Sequence, residues 1–125
     1  MLYAILSYDV EAKIDAWTEA EGEAQMARFR PVQHELTTQG RMGPCARLGH
    51  SSAARTYRPA AEPVLVDGPF AETKEQLLGL YIVECDSSDD AIALARRLQH
   101  GSGSFEVRPI DAYYPATITR AEESR

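Results

Sequence analysis

Two short apolar runs, Leu2 to Tyr8 and Leu78 to Cys85, set the tightest limit on what this chain can fold into. Each is too short for a core helix and rich in β-branched, aromatic or aliphatic residues, which reads as a strand. Each is also mostly apolar at both odd and even positions, so both of its faces need cover away from water. With 125 residues, 44% of them hydrophobic, the chain suits a single domain spanning 1–125 with one core.

The segments between the runs supply half of that cover. After Asp15 comes a stretch rich in Ala, Glu, Gln and Met, in which Trp17, Ala20, Ala24 and Ala27 fall on one stripe at helical spacing. Val32 and Leu36 extend the stripe. Pro31 lacks an amide hydrogen and clashes with the preceding turn, which predicts a kink or restart there before Gly40 ends the helix. Beyond it, strands are expected near Met42 to Leu48 and Ala54 to Arg58, with a short run at Val64 to Val66 closed by Asp67-Gly68-Pro69. Ser87 and Asp90 have N-capping spacing, and Ala91, Ala95 and Leu98, beside Ile92, give a second helix its apolar face. Arg96 and Arg97 then suit its negative end, His100 lies at its terminus, and Ser104 to Ile110 alternates as a last strand.

The order is β-α-β-β-α-β with additions, a split βαβ arrangement that puts both helices on one face of an antiparallel sheet. The expected class is α+β, ferredoxin-like. Helices on one side leave the other faces of the two apolar runs bare, and a second copy's sheet is the simplest cover. A homodimer is therefore expected. Residues 111–125 form a C-terminal tail, with Tyr113, Tyr114 and Ile118 able to strap onto the body and a frayed end.

The stretch Val66-Asp67-Gly68-Pro69-Phe70-Ala71-Glu72-Thr73-Lys74-Glu75-Gln76-Leu77 resembles the hallmark of the DGPF-containing branch of the YCII-related family. The resemblance continues through Gly79 to Cys85, the Ala91 to Leu98 helix and Gly103 to Ile110, and is looser in the first half. It implies a dimeric α+β barrel, two ferredoxin-like units packed sheet to sheet around clefts. Suspected enzymes of the wider family carry a helix histidine paired with an aspartate. Here Phe29 or a neighbour stands at that histidine position, and His34 lies about one turn later. The family's Leu-Pro after the second helix is replaced by Leu98-Gln99-His100. DGPF-type genes also neighbour those of extracytoplasmic-function sigma factors, which implies a regulatory or interaction module as the other role.

Candidate chemistry gathers around the motif. Asp67 ends a strand and opens a turn, where its carboxylate either accepts local amides or serves as an acid or base. Glu72 and Lys74 sit in a mixed-charge run that reads as a solvated turn or as ligand contacts, with Lys74 on an anion. Phe70 reads as a core anchor that pins the turn or, second, as a wall for an apolar ligand. In the last strand Phe105 and Val107 share one face, which puts Glu106 and Arg108 on the other, where Arg108 can clamp a carboxylate or join a salt bridge. Tyr81, on a central strand, either packs or aims its hydroxyl into a cleft. His34 and His50 read as surface and loop residues. The resulting expectation is a cofactor-independent small-molecule binder or acid–base enzyme.

Charge and cysteine usage narrow the partners. Thirteen Lys and Arg against nineteen Asp and Glu leave a net charge of -6, which opposes a broad grip on nucleic acid or anionic lipid. The start MLYAILSYDVEAK has neither the basic leader of a secretion signal nor the length of a span, so a cytoplasmic location is expected. Cys45 and Cys85 are far apart and expected reduced, and no paired spacing of cysteines and histidines suggests a metal.

Overall fold

The computed structural model describes residues 1–99 and 101–118. Strands β1 (Leu2–Asp9), β2 (Met42–Arg47), β5 (Gln76–Glu84) and β6 (Ser104–Pro109) form one antiparallel sheet in the order β2-β5-β1-β6. Two further strands, β3 (Arg55–Arg58) and β4 (Val64–Asp67), pair only with each other as a separate ribbon. Helices α1 (Glu11–Asp15), α2 (Glu19–Thr38) and α3 (Ser88–Leu98) complete the chain, with a 3-10 turn at Ser51–Ala53. This is an α+β, ferredoxin-like fold.

Register fixes which side chains share a face. Tyr3 lies opposite Val83 and Ile5 opposite Tyr81 on one side, and Val107 and Phe105 lie opposite Ile5 and Ser7 on the other. Those side chains turn toward the helices, where Val32 and Leu36 of α2 and Ala91, Leu94, Ala95 and Leu98 of α3 close the core. Leu2, Ala4 and Leu6, with Leu80 and Ile82 opposite Leu6 and Ala4, form the other face, which no helix among the described residues covers. The expected split of β6, with Phe105 and Val107 inward and Glu106 and Arg108 outward, is what the sheet shows.

Helix α2 departs from the alanine stripe. Its N-terminus is Thr18, whose hydroxyl accepts from the Glu21 amide while Glu21 returns a bond to the Thr18 amide. That capping box starts the helix after Trp17 and sets the phase of its buried side. Ala20, Ala24 and Ala27 are exposed, whereas Gln25, Met26 and Phe29 are the half-buried positions that lead into Val32 and Leu36. Larger side chains win the inner face because they bury more apolar area than alanine. Pro31 sits inside one continuous helix rather than at a restart. Gly40, at φ 67°, follows the helix, and the Arg41 amide donates to the Leu36 carbonyl at 2.8 Å, a glycine-terminated Schellman end.

In α3 the Ser87 hydroxyl accepts from the Asp90 amide, as its spacing predicts, but Ile92 is 41% exposed because the buried positions are Ala91, Leu94, Ala95 and Leu98. Tyr114 and Ile118 stand in solvent and do not strap onto the body. His100 and the end of the tail, residues 119–125, lie outside the described residues. No helix among the described residues is long and apolar enough to cross a membrane.

Candidate functional site

At the C-terminal end of β1 the inward face changes from apolar to polar. Ser7, Asp9 and Glu11 are all buried. The Asp9 carboxylate accepts from the Val10 amide at 2.7 Å and from the Ser102 hydroxyl at 2.8 Å, tying the start of α1 to the turn before β6. Gly103 belongs to that tie: its φ is 84°, and an added Cβ would lie 2.3 Å from the Tyr8 carbonyl oxygen. The chain then turns through α1, which places Glu11 and Asp15 one helical turn apart on the same side.

Opposite them is the segment that leaves β2. The Ser51 amide donates to Glu11 Oε2 at 2.8 Å, and the Ser51 hydroxyl donates to Glu11 Oε1. His50, one residue earlier, sets its Nε2 3.2 Å from Asp15 Oδ2 and 3.7 Å from Glu11 Oε1. Its Nδ1 accepts from the Ser52 amide at 3.2 Å, so the ring proton of the neutral imidazole is on Nε2 and faces the carboxylates. The Ser51 hydroxyl, chiefly, with the Ser51 amide and His50, holds the Glu11 carboxyl below its usual range against the opposing effect of burial. Two carboxylates and an imidazole thus converge from α1 and the β2–β3 connection.

This cluster lies on the rim of a cleft of about 700 Å³ between α1, the first half of α2 and the β2–β5 side of the sheet. Its walls are apolar, with Trp17, Met26, Phe29, Leu78 and Tyr81 among them. The Phe29 and Tyr81 rings meet at 5.8 Å between centroids with a 38° tilt. Burial pushes the Tyr81 phenol up, with a further contribution from Cys45, and burial also raises the Cys45 thiol. Gly79 forms part of the floor, where a Cβ would lie 2.4 Å from the Ala46 carbonyl oxygen. A volume of this size, with apolar walls and a few convergent polar groups, is the usual form of a small-molecule site.

The residues singled out in the sequence are distributed differently. Tyr81 lines the cleft, on the helix-facing side of the sheet. Arg108 is on the opposite face, 3.8 Å from Glu106, whose carboxylate accepts from the Tyr8 hydroxyl at 3.3 Å. Within one chain Tyr81 and Arg108 therefore do not meet. Asp67 ends the β3–β4 ribbon with its side chain 92% exposed and pairs with Arg55 at 3.6 Å rather than capping its own turn. The turn is held by the Gly68 amide on the Ala54 carbonyl at 2.7 Å and by the Thr56 hydroxyl on the Gly68 carbonyl at 2.8 Å. Glu72 and Lys74 are exposed, and Phe70 is no core anchor: it stands 72% exposed beneath the Arg58 guanidinium at 4.8 Å, because the ribbon it closes leaves the main sheet. His34 is on the outer surface of α2.

A smaller hollow of about 450 Å³ lies near Arg41, Asp90 and Arg97. Its arginines are already engaged, Arg97 in a forked pair with Glu35 at 2.7 and 3.1 Å and Arg41 on the Glu84 carbonyl and the Gln39 side chain. No group of three or more His, Cys, Asp or Glu side chains placed to hold a metal occurs among the described residues.

The fold, with its helices on one face and a cleft beside β5, agrees with a match to the YCII-related domain model over residues 1–113. The chain belongs to the YCII-related family. It is also 45% identical over 122 residues to an uncharacterized protein of Rhizobium meliloti (strain 1021), covering 94% of this chain and 98% of that one. Set against the expectation for YCII-related chains, Phe29, near the place expected for a helix histidine, is a wall of the cleft. A histidine is nevertheless present on the same cleft, contributed by the β2–β3 connection and paired with an aspartate of α1. The sequence showed His50 as a loop residue and did not single out Asp15 or Glu11, because α1 and the β2–β3 connection are brought together only by the fold. The available signal was the four-residue spacing of Glu11 and Asp15.

Proposed function

We propose that this YCII-related chain binds a small, largely apolar molecule in the cleft under α2 and carries out cofactor-independent acid–base chemistry on it. The observation that carries the reading is the convergence of the His50–Asp15–Glu11 group on the rim of an aromatic-walled cleft. Phe29, Met26, Trp17 and Tyr81 supply apolar contact area. Asp15, hydrogen-bonded to the Nε2 proton of His50, is an open carboxylate able to accept a proton from a bound C–H or O–H group, and the imidazole steadies the charge. Glu11 is committed to Ser51 and serves as the fixed anion that orients His50. Tyr81 is the ligand-facing hydroxyl of the set.

The DGPF-containing branch and a homodimer belong to the same proposal, the first supported by the motif at Asp67 and the second by the uncovered apolar face of the sheet. The competing role, a module that binds an extracytoplasmic-function sigma factor, needs no occupied cleft.

The test is a fragment and metabolite library screened by thermal shift on the wild type and on Met26→Trp, Asp15→Asn and His50→Ala. Hits should stabilise the wild type, lose that effect in Met26→Trp, which fills the cleft, and keep binding in the other two. Any hit that is converted should be converted at least about a hundredfold more slowly by Asp15→Asn. Hits that bind Met26→Trp as well as the wild type would place the site elsewhere and overturn the proposal.

A further inference from the structure

The β3–β4 ribbon is the part of the molecule that the cleft leaves unexplained. Its register runs from Arg55 opposite Asp67 to Arg58 opposite Val64, and among the described residues it shares no strand pairing with the main sheet. Five of the exposed large apolar side chains lie on it or at its foot: Tyr57 at 60%, Val64 at 47%, Leu65 at 55%, Val66 at 47% and Phe70 at 72% exposed. Because consecutive residues of a strand point to opposite sides, Val64, Leu65 and Val66 leave both faces of the ribbon bare. An isolated two-stranded ribbon is marginal in water. Among the described residues, its root is tied to α1 through Ser51 on Glu11, while the Gly68 bonds to Ala54 and Thr56 close the ribbon on itself.

The areas point to what covers it. At ordinary side-chain sizes these five residues present on the order of 500 Å² of apolar surface per copy, in the range of the largest apolar patch on a typical soluble monomer and often the mark of an interaction site. A stable interface takes about 800 Å² from each partner. The uncovered sheet face, with Leu6, Leu80 and Ile82, supplies the remainder. Charge adds a smaller contribution: on the ribbon Arg55 is paired with Asp67 and Arg58 lies over Phe70, and on the open face Glu106 is paired with Arg108 and Glu84 with the N-terminal ammonium, so Arg58 is the ribbon cation with no carboxylate within salt-bridge distance among the described residues. Ribbon and face belong to the same chain, so a two-fold exchange covers both at once, and a single interface closes without leaving either surface free.

We propose that the β3–β4 ribbon is an intermolecular arm that seats on a second copy of this chain, each arm covering the partner's open sheet face. The inference rests on the self-association proposed above. It gives the segment from Asp67 to Phe70 a place at the interface rather than in the cleft of its own chain.

Sedimentation of the full chain over a wide concentration range tests this, comparing the wild type with Leu65→Glu, Tyr57→Asp and, on the sheet face, Leu80→Glu. The arm predicts a wild-type dimer whose dissociation constant rises at least about tenfold in both arm variants, with unchanged far-ultraviolet circular dichroism. Hydrogen exchange on the wild type gives a readout that no variant's folding can confuse: arm amides should be protected in the dimer and exchange freely on dilution. A monomeric wild type would remove both the self-association and the arm. A dimer lost in Leu80→Glu but unchanged in both arm variants, with unprotected arm amides, overturns the arm alone.

Discussion

Glu11 is where the cleft, the root of the ribbon and the titration of the molecule meet. Its folded carboxyl is held down, chiefly by the Ser51 hydroxyl, so it releases its proton more readily than in the unfolded chain. A carboxyl depressed on folding contributes stability above its unfolded value, near about 4.3, and that contribution is lost as pH falls through the folded value. Urea denaturation at a series of pH values should therefore show wild-type stability declining on the acid side of that range. Glu11→Gln should be less stable at neutral pH, by about 1–3 kcal/mol for a weakened buried hydrogen-bond set, and flatter in acid. An equally steep acid decline in the variant would mean that other carboxylates carry it. At this scale the sequence was least legible. Asp67, Glu72, Lys74 and Arg108 stood out because they lie in or near a conspicuous motif or alternate cleanly along a strand. His50 and Asp15 are joined only by tertiary folding, across 35 residues of chain.

Among the elements, β1, β5, β6 and α3 were readable because each combines an apolar pattern with a clear stop or cap. The phase of α2 was not, because alanines at helical spacing mimic a buried stripe, and the deciding signal was the Thr18–Glu21 capping box a few residues upstream. The ribbon was half legible: its strands could be placed, but nothing in their sequence says that they leave the main sheet. Packing between β2 and β5 gives a direct prediction. Gly79→Ala would push a methyl group against the Ala46 carbonyl, 2.4 Å from the new Cβ, and displace the β2 side of the cleft. A loss of about 1–3 kcal/mol in urea denaturation is expected, together with weaker binding of any cleft ligand. A variant as stable as the wild type would show that β2 can move away without cost and that the cleft floor yields.

At the scale of the whole molecule, one chain offers an aromatic cleft with an acid–base rim on one side of its sheet and uncovered apolar surface on the other. The apolar surplus on both faces of β1 and β5 was visible in the sequence, and the helices account for one face only. The central claim is that the cleft under α2 is where this YCII-related protein meets its ligand. Its most direct test is the amide and histidine-ring spectrum of the full chain by nuclear magnetic resonance during titration with the fragments that stabilise it. The account predicts shifts that cluster on Phe29, Tyr81, Gly79 and the His50 ring, with little change at Arg108 or along the ribbon. Shifts concentrated around Arg108, Glu106 and Tyr8 on the open face, with the His50 ring unmoved, would contradict it.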